Sequence, residues 1–290
     1  MSEAILITGT SSGFGRLAVQ TLLRKGHRVV ASMRDPDGRN QAVSEELASA
    51  GAGIVEIDVT DEGSVERGVS AAIEQVGDLG VLVNNAGIGA VGLQEAFTPD
   101  DWQGLFDINV FGVQRMSRAV IPHLRRRGSG LLLQVSSLLG RVTIPFYGPY
   151  NASKWAVEAM TENYRTELSA FGIDACIVEP GGFPTAFMDR LLRPADGSRD
   201  GDYGTLAGAP AQALAGFEQV LASNRQQDPQ LVADAIAQLV ETPAGQRPFR
   251  TVVDRLGMGE PIAQYNDHLA RVTQGIYTAF GTEHMLRLQG

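Results

Sequence analysis

Cysteine is nearly missing from this chain: Cys176 stands alone among 290 residues. One thiol excludes an intramolecular disulfide framework and a Cys-cluster zinc site. Inside an apolar stretch, it reads as a core residue. Long apolar runs are missing too. Ala4-Ile5-Leu6-Ile7 is four residues long, with Gly9 close behind. A secretory signal needs about 7–15 apolar residues and a membrane span roughly 18. A cytoplasmic protein with no membrane contact is therefore expected. Positive charge is in deficit, with 24 Lys+Arg against 33 Asp+Glu and a net charge of −9. Such a chain suits nucleic-acid phosphates poorly, and no nucleic-acid partner is expected. Arg125-Arg126-Arg127 reads instead as the cationic end of a helix. His27, His123, His268 and His284 show no ligand spacing, so no metal is expected.

Glycine is in excess: 34 of 290 residues, against about 7% on average. No collagen-like or low-complexity period accompanies it. Around the glycines, short apolar runs alternate with amphipathic stretches. Strands are expected at Ala4–Thr8, Arg28–Met33, Gly53–Asp58, Leu79–Asn84, Leu131–Ser136, Ile173–Glu179 and Thr251–Val253. Helices are expected at Arg16–Lys25, Gln41–Ala50, Glu62–Val76, Asp101–Arg126 (broken near Asn109), Pro149–Ala170, Ala211–Gln226 and Gln230–Glu241. The strands read as continuous apolar runs, as burial on both faces of a parallel sheet requires. The alternation implies an α/β fold, a doubly wound parallel sheet of about seven strands with helices on both faces. Residues 1–255 are expected to form one domain, interrupted by a long loop at about 181–208. Residues 256–290 read as a C-terminal helical extension, with Ile262, Tyr265, Leu269, Val272, Ile276 and Phe280 at helical spacing.

The first strand runs into Thr8-Gly9-Thr10-Ser11-Ser12-Gly13-Phe14-Gly15 and then a helix. Glycines allow positive φ and close backbone approach to a pyrophosphate, and the helix offers unpaired N–H groups and its positive dipole end. The spacing TGxxxGxG resembles the cofactor loop of the short-chain dehydrogenase/reductase superfamily, in its single-domain branch. Tyr150-Asn151-Ala152-Ser153-Lys154 sets a tyrosine and a lysine on one helix face. A neighbouring ammonium lowers a phenol pKa and makes it a usable acid/base. The resemblance extends to Ser137, 13 residues before Tyr150, to Asn84-Asn85-Ala86-Gly87, to Asn109, to Asp58 at the third strand end, and to Pro180-Gly181 with Thr185.

That resemblance implies a Rossmann-like fold and catalytic roles for Asn109, Ser137, Tyr150 and Lys154. It implies cofactor contacts from Gly9, Ser11, Ser12, Gly13, Phe14, Gly15, Asp58, Val59, Asn85, Ala86, Gly87, Pro180, Gly181 and Thr185, and from Tyr150 and Lys154 as well. Met33 stands where NAD users often place an acid for the ribose hydroxyl, and Arg34 follows, able to pair with a 2′-phosphate. NADP(H) is therefore favoured over NAD(H). The alternative is an Arg34 facing solvent and paired with Asp35 or Asp37. Substrate contacts are expected from Leu139, Phe146, Tyr147, Phe187 and Met188. Further candidate wall residues are Leu138, Ile144, Leu93, Phe97, Leu191 and Leu192.

The expected function is hydride transfer between NADP(H) and a carbonyl or secondary alcohol, with a hydrophobic ketone or aldehyde as substrate and Tyr150 as general acid/base. The chemistry implied is that of carbonyl reductases. A catalytically silent nucleotide-sensing protein and an epimerase or elimination enzyme on the same fold are the alternatives. The resemblance also implies a homodimer or homotetramer.

Overall fold

The computed structural model describes residues 2–289. One sheet of seven parallel strands runs in the order β3-β2-β1-β4-β5-β6-β7. The strands are β1 (Ala4–Thr8), β2 (Arg28–Met33), β3 (Gly53–Glu56), β4 (Val81–Asn84), β5 (Gly130–Val135), β6 (Ile173–Pro180) and β7 (Arg250–Val253). Ile5 is in register with both Val29 and Val81. Because side chains alternate along a strand, Ile5 and Ile7 face one layer and Leu6 the other. The first layer is α1 (Gly13–Arg24), α2 (Gln41–Ser49) and α8 (Gln230–Glu241), packed through Val19, Leu22, Leu47, Val232 and Ile236. The second includes α3 (Glu62–Val76) and α5 (Gly112–Arg127), packed through Val65, Val69, Met116 and Val120. Burial on both faces accounts for the continuous apolar runs. Cys176 lies in the first layer.

Expected elements and observed ones differ mainly at their ends. β3 stops at Glu56, because the Asp58 carboxylate accepts from Thr60 N–H and Oγ1 at 3.0 and 2.7 Å and turns the chain. The expected break near Asn109 is a single π-helical turn at Asp107–Phe111, between α4 (Pro99–Phe106) and α5. Gly148–Leu168 forms α6. After β6, two short 3-10 pieces lead to α7 (Ala209–Ser223), then α8, β7 and a tail helix α9 (Gly259–Ala279). Among the described residues, no helix is long and apolar enough to cross a membrane.

The strand order reverses between β1 and β4, which opens a crevice beyond their carboxyl ends. Two glycines let the chain turn there. Gly9 has φ +70°, and a Cβ on it would stand 2.8 Å from the Ala86 Cα. A Cβ on Gly15, in the first turn of α1, would stand 2.5 Å from both the Gly9 carbonyl oxygen and Asn85 Nδ2. Gly15→Ala should therefore overpack the junction and destabilise the protein by about 1–3 kcal/mol. A urea midpoint equal to that of the parent would refute this account.

Candidate active site

Thr8 is the hub of the crevice. Its Oγ1 accepts from the N–H groups of Asn85 and Ala86, each at 3.0 Å. Asn85 Nδ2 returns hydrogen bonds to the carbonyls of Thr8 at 2.8 Å and Gly9 at 3.1 Å. The glycine turn and the Asn84–Gly87 segment are thus one unit. Asn84 is buried beneath it and donates to Ser117 Oγ at 3.3 Å.

Above this unit lies a cavity of about 910 Å3, bordered by Gly9, Ser11, Ser12, Gly13, Phe14, Asn85, Ala86 and Gly87. Gly15 lies outside it, as packing beneath the turn. Helix α1 starts at the cavity with no side-chain cap from Ser12 and no acid in its first turn. Its leading N–H groups are left without a side-chain acceptor, as an anion site requires.

Met33, Arg34, Asp58 and Val59 continue the wall. The half-exposed Arg34 guanidinium lies 3.8 Å from Asp58. It pairs with neither Asp35 nor Asp37. Asp35 has φ +49° and accepts from the Arg39 N–H at 3.0 Å. That turn returns Arg39 and Asn40 to the cavity, two residues that sequence reading missed. Their only signal was the turn-forming Asp35-Pro36-Asp37-Gly38. Partial burial raises the Asp58 carboxyl, but hydrogen bonds from Thr60 and the charges of Arg34 and Arg39 outweigh it and hold it low.

At the other end, β5 delivers Ser137 and α6 delivers Tyr150 and Lys154 one turn apart, all three bordering the cavity. Ser137 Oγ accepts from Leu139 N–H at 3.1 Å and lies 3.5 Å from the Pro180 carbonyl oxygen. Lys154 Nζ donates to the Val135 carbonyl at 2.9 Å and sits 5.7 Å from the centre of the Tyr150 ring. Pro180, Gly181 and Thr185 close the floor.

Burial opposes the lowering of the Tyr150 pKa that Lys154 is expected to bring. Burial pushes the Tyr150 phenol up to about 12, against a hydrogen bond with Ser137. Burial likewise pushes Lys154 down to about 8, against the charge of Glu158. Both groups are disfavoured in their charged forms for the same reason, removal from water.

Asn109 is buried and stands behind the cavity rather than on its surface. Its Oδ1 accepts from Ile88 N–H at 2.9 Å, and its Nδ2 donates to the Ile88 carbonyl at 2.8 Å and to Ser153 Oγ at 3.0 Å. It clamps the wall after Gly87 onto α6.

Leu139, Phe146, Tyr147, Phe187 and Met188 border the cavity, as do Leu138 and Ile144. The Phe187 ring lies 5.8 Å from the Tyr150 ring. Leu93 and Phe97 are core residues, and Leu192 bridges to Ala90, so these do not form the wall. Leu191 also lies off it. In their place stand Ala213 and Phe217 of α7, and Leu256 and Met258 ahead of α9, all far along the chain from the motifs.

Uncapped helix N–H groups, a glycine turn, a depressed carboxylate and two arginines fit a nicotinamide dinucleotide. A parallel sheet with this crevice at its switch point, and a serine, tyrosine and lysine at its far end, is the arrangement of the dinucleotide-binding dehydrogenase class. The profile of the short chain dehydrogenase family matches residues 3–195, and the chain belongs to that family. It is 38% identical over 187 residues to 3-ketodihydrosphingosine reductase of Bacteroides thetaiotaomicron, over 64% of this chain and 66% of that one. It is 37% identical over 195 residues to retinol dehydrogenase 8 of Bos taurus, over 66% of this chain and 62% of that one. The match thus spans less than two thirds of either relative. A short-chain dehydrogenase from Streptomyces avermitilis superposes with a TM-score of 0.75 at 27% identity, covering 97% of this chain and 98% of that one.

Lys25 and Lys154 are the only lysines in the sequence. In an NMR titration of 13C-methylated protein, the signal lost in Lys154→Arg should therefore titrate near pH 8, below the ordinary lysine value of 10.5. A titration near the ordinary lysine range would show that Lys154 is solvated.

Proposed function

We propose that the protein is an NADP(H)-dependent carbonyl reductase acting on a hydrophobic ketone or aldehyde. The observation that carries this reading is the convergence of Ser137, Tyr150 and Lys154 at one end of a cavity whose other end is built for a dinucleotide. NADPH, when bound, supplies the hydride for the carbonyl carbon. The first N–H groups of α1, with Ser11 and Ser12, take its phosphates, Asp58 takes the adenine amino group, and Thr185 with Pro180 and Gly181 takes the carboxamide. Arg34 and Arg39 take the 2′-phosphate. These two guanidiniums on the cavity wall, and the absence of an acid at Met33, are the basis for preferring NADP(H).

Ser137 donates a hydrogen bond to the substrate oxygen and holds it at the Tyr150 hydroxyl. Tyr150, raised to about 12 by burial, stays protonated at neutral pH and gives its proton to that oxygen as the alcohol forms. Lys154 binds the nicotinamide ribose and, as a cation, offsets the phenolate left on Tyr150. Asn109 fixes the wall beside Lys154 and supports a water relay to solvent.

The apolar wall of Leu139, Phe146, Tyr147, Phe187 and Met188 favours a hydrophobic substrate. The names of the relatives, a ketodihydrosphingosine reductase and a retinol dehydrogenase, denote substrates with long apolar parts and agree with this. Residues 1–255 form the dinucleotide-binding domain in this reading, and 256–290 its extension. A cytoplasmic homodimer or homotetramer completes it, with the exposed Phe111 and Trp155 as apolar surface for a second copy.

The test is a panel of ketones and aldehydes with NADPH and NADH, followed by loss of nicotinamide absorbance. NADPH binding without turnover of any substrate would favour a nucleotide sensor and overturn the proposal. Tyr150→Phe should bind NADPH normally and lose at least about 100-fold in kcat. Arg34→Ala should weaken NADPH far more than NADH. Equal losses for the two cofactors would remove the case for NADP(H).

A further inference from the structure

Helix α9 reaches the candidate site from behind at two points. At its start, Asp254 Oδ2 accepts from the N–H groups of Leu256, Met258 and Gly259 at 3.1, 2.9 and 3.0 Å. The same carboxylate rests on Gly181, where a Cβ would stand 2.2 Å from Oδ1. Two turns on, the buried Asn266 uses both ends of its amide. Oδ1 accepts from Arg141 Nε at 2.9 Å, and Nδ2 donates to Glu179 Oε2 at 2.6 Å.

Arg141 and Glu179 both border the chemistry. Arg141 closes the 3-10 turn that begins at Ser137, its N–H donating to the Leu138 carbonyl at 3.0 Å. Glu179 immediately precedes Pro180 on the cavity floor. The Arg141 guanidinium is enclosed by the rings of Tyr265 and Trp155, at 5.0 and 5.8 Å. The carboxylates of Glu158 and Glu179 lie 3.9 and 3.8 Å away. Arg250 spans the same two carboxylates at 2.9 and 3.3 Å and also pairs with Glu162. Among the described residues, Asn266 is the hydrogen-bond acceptor of the Arg141 side chain, and Arg141 Nη2 has none.

We infer that Asn266 is a positioning residue: by joining Arg141 to Glu179 it makes α9 the fixed reference for the Ser137–Arg141 turn and for the strand end at Pro180, and so holds Ser137 in place opposite Tyr150. Without this amide the buried Arg141 Nε–H loses its hydrogen-bond acceptor, and leaving a buried donor unsatisfied is costly, so the turn shifts to find a new one. Burial and the facing Glu158 push the Glu179 carboxyl up, and the Asn266 hydrogen bond opposes them. The link therefore acts on the charge as well as on the position of Glu179.

The inference rests on the proposed reductase reading, and its test separates the two. Asn266→Ala should lower kcat for carbonyl reduction about tenfold or more, because small misplacements of reacting groups are costly. NADPH affinity should be little changed, and amide hydrogen exchange over residues 137–142 should quicken. Ile262→Ala, one turn earlier on the same helix and apolar, is the control for loosened packing. It should lower the Tm but leave kcat and exchange at 137–142 near the parent values. Should Asn266→Ala not fold, Asn266→Leu, of similar size and without either hydrogen bond, should give the same order of effects. Equal kcat losses in the Asn266 and Ile262 variants, or unchanged exchange at 137–142, would overturn the inference. A parent protein without turnover would instead overturn the reductase reading, while the exchange measurement still decides the link.

Discussion

The hydroxyl of Thr8 holds the molecule's working end together. Two adjacent backbone N–H groups from the segment after β4 converge on that one oxygen. The crevice of an open parallel sheet exists because neighbouring strands send their chains in opposite directions at the switch point. Left alone, the two departing loops would be free to drift apart. Thr8 and the Asn85 amide bind them across the gap, and the missing side chains of Gly9 and Gly15 let them come close enough to be bound. The cradle at the start of α1 depends on that closeness, and so does the path of the wall that Asn109 clamps onto α6.

Removal from water does the chemical tuning. Burial disfavours the charged forms of both Tyr150 and Lys154: at neutral pH the phenol keeps its proton, while Lys154, near 8, is still mostly a cation that exchanges its proton readily. A tyrosine that keeps its proton is the right acid for a carbonyl oxygen gaining electron density. The buried acidic and basic groups behind it, Glu158, Glu179, Arg141 and Arg250, form a second polar layer between the reacting residues and α9.

Much of this was legible in the residues. Continuous apolar runs announced a sheet buried on both faces, and TGTSSGFG with YNASK carried the two ends of the site. What stayed hidden depended on three-dimensional context. Arg39 returns beside Arg34 only because Asp35 adopts a left-handed backbone, which no residue spacing announces. Phe217 and Met258 reach the cavity from segments with no motif of their own. The i,i+4 spacing of Tyr150 and Lys154 showed that they share a face, but not how strongly burial would oppose the charged form of each. Asn266 looked like one polar residue in an amphipathic tail, and only the fold sets it between Arg141 and Glu179.

The two lysines differ as much in setting as two side chains can. Lys154 is buried at the cavity, whereas Lys25 caps the far end of α1, partly exposed and paired with Glu241 at 2.7 Å. About 12 residues of helix separate Lys25 from the glycine turn, a span of roughly 18 Å. Amine-directed coupling through side chains thus has a single accessible handle. A label carried on the Lys25 side chain would sit at the opposite end of α1 from the glycine turn.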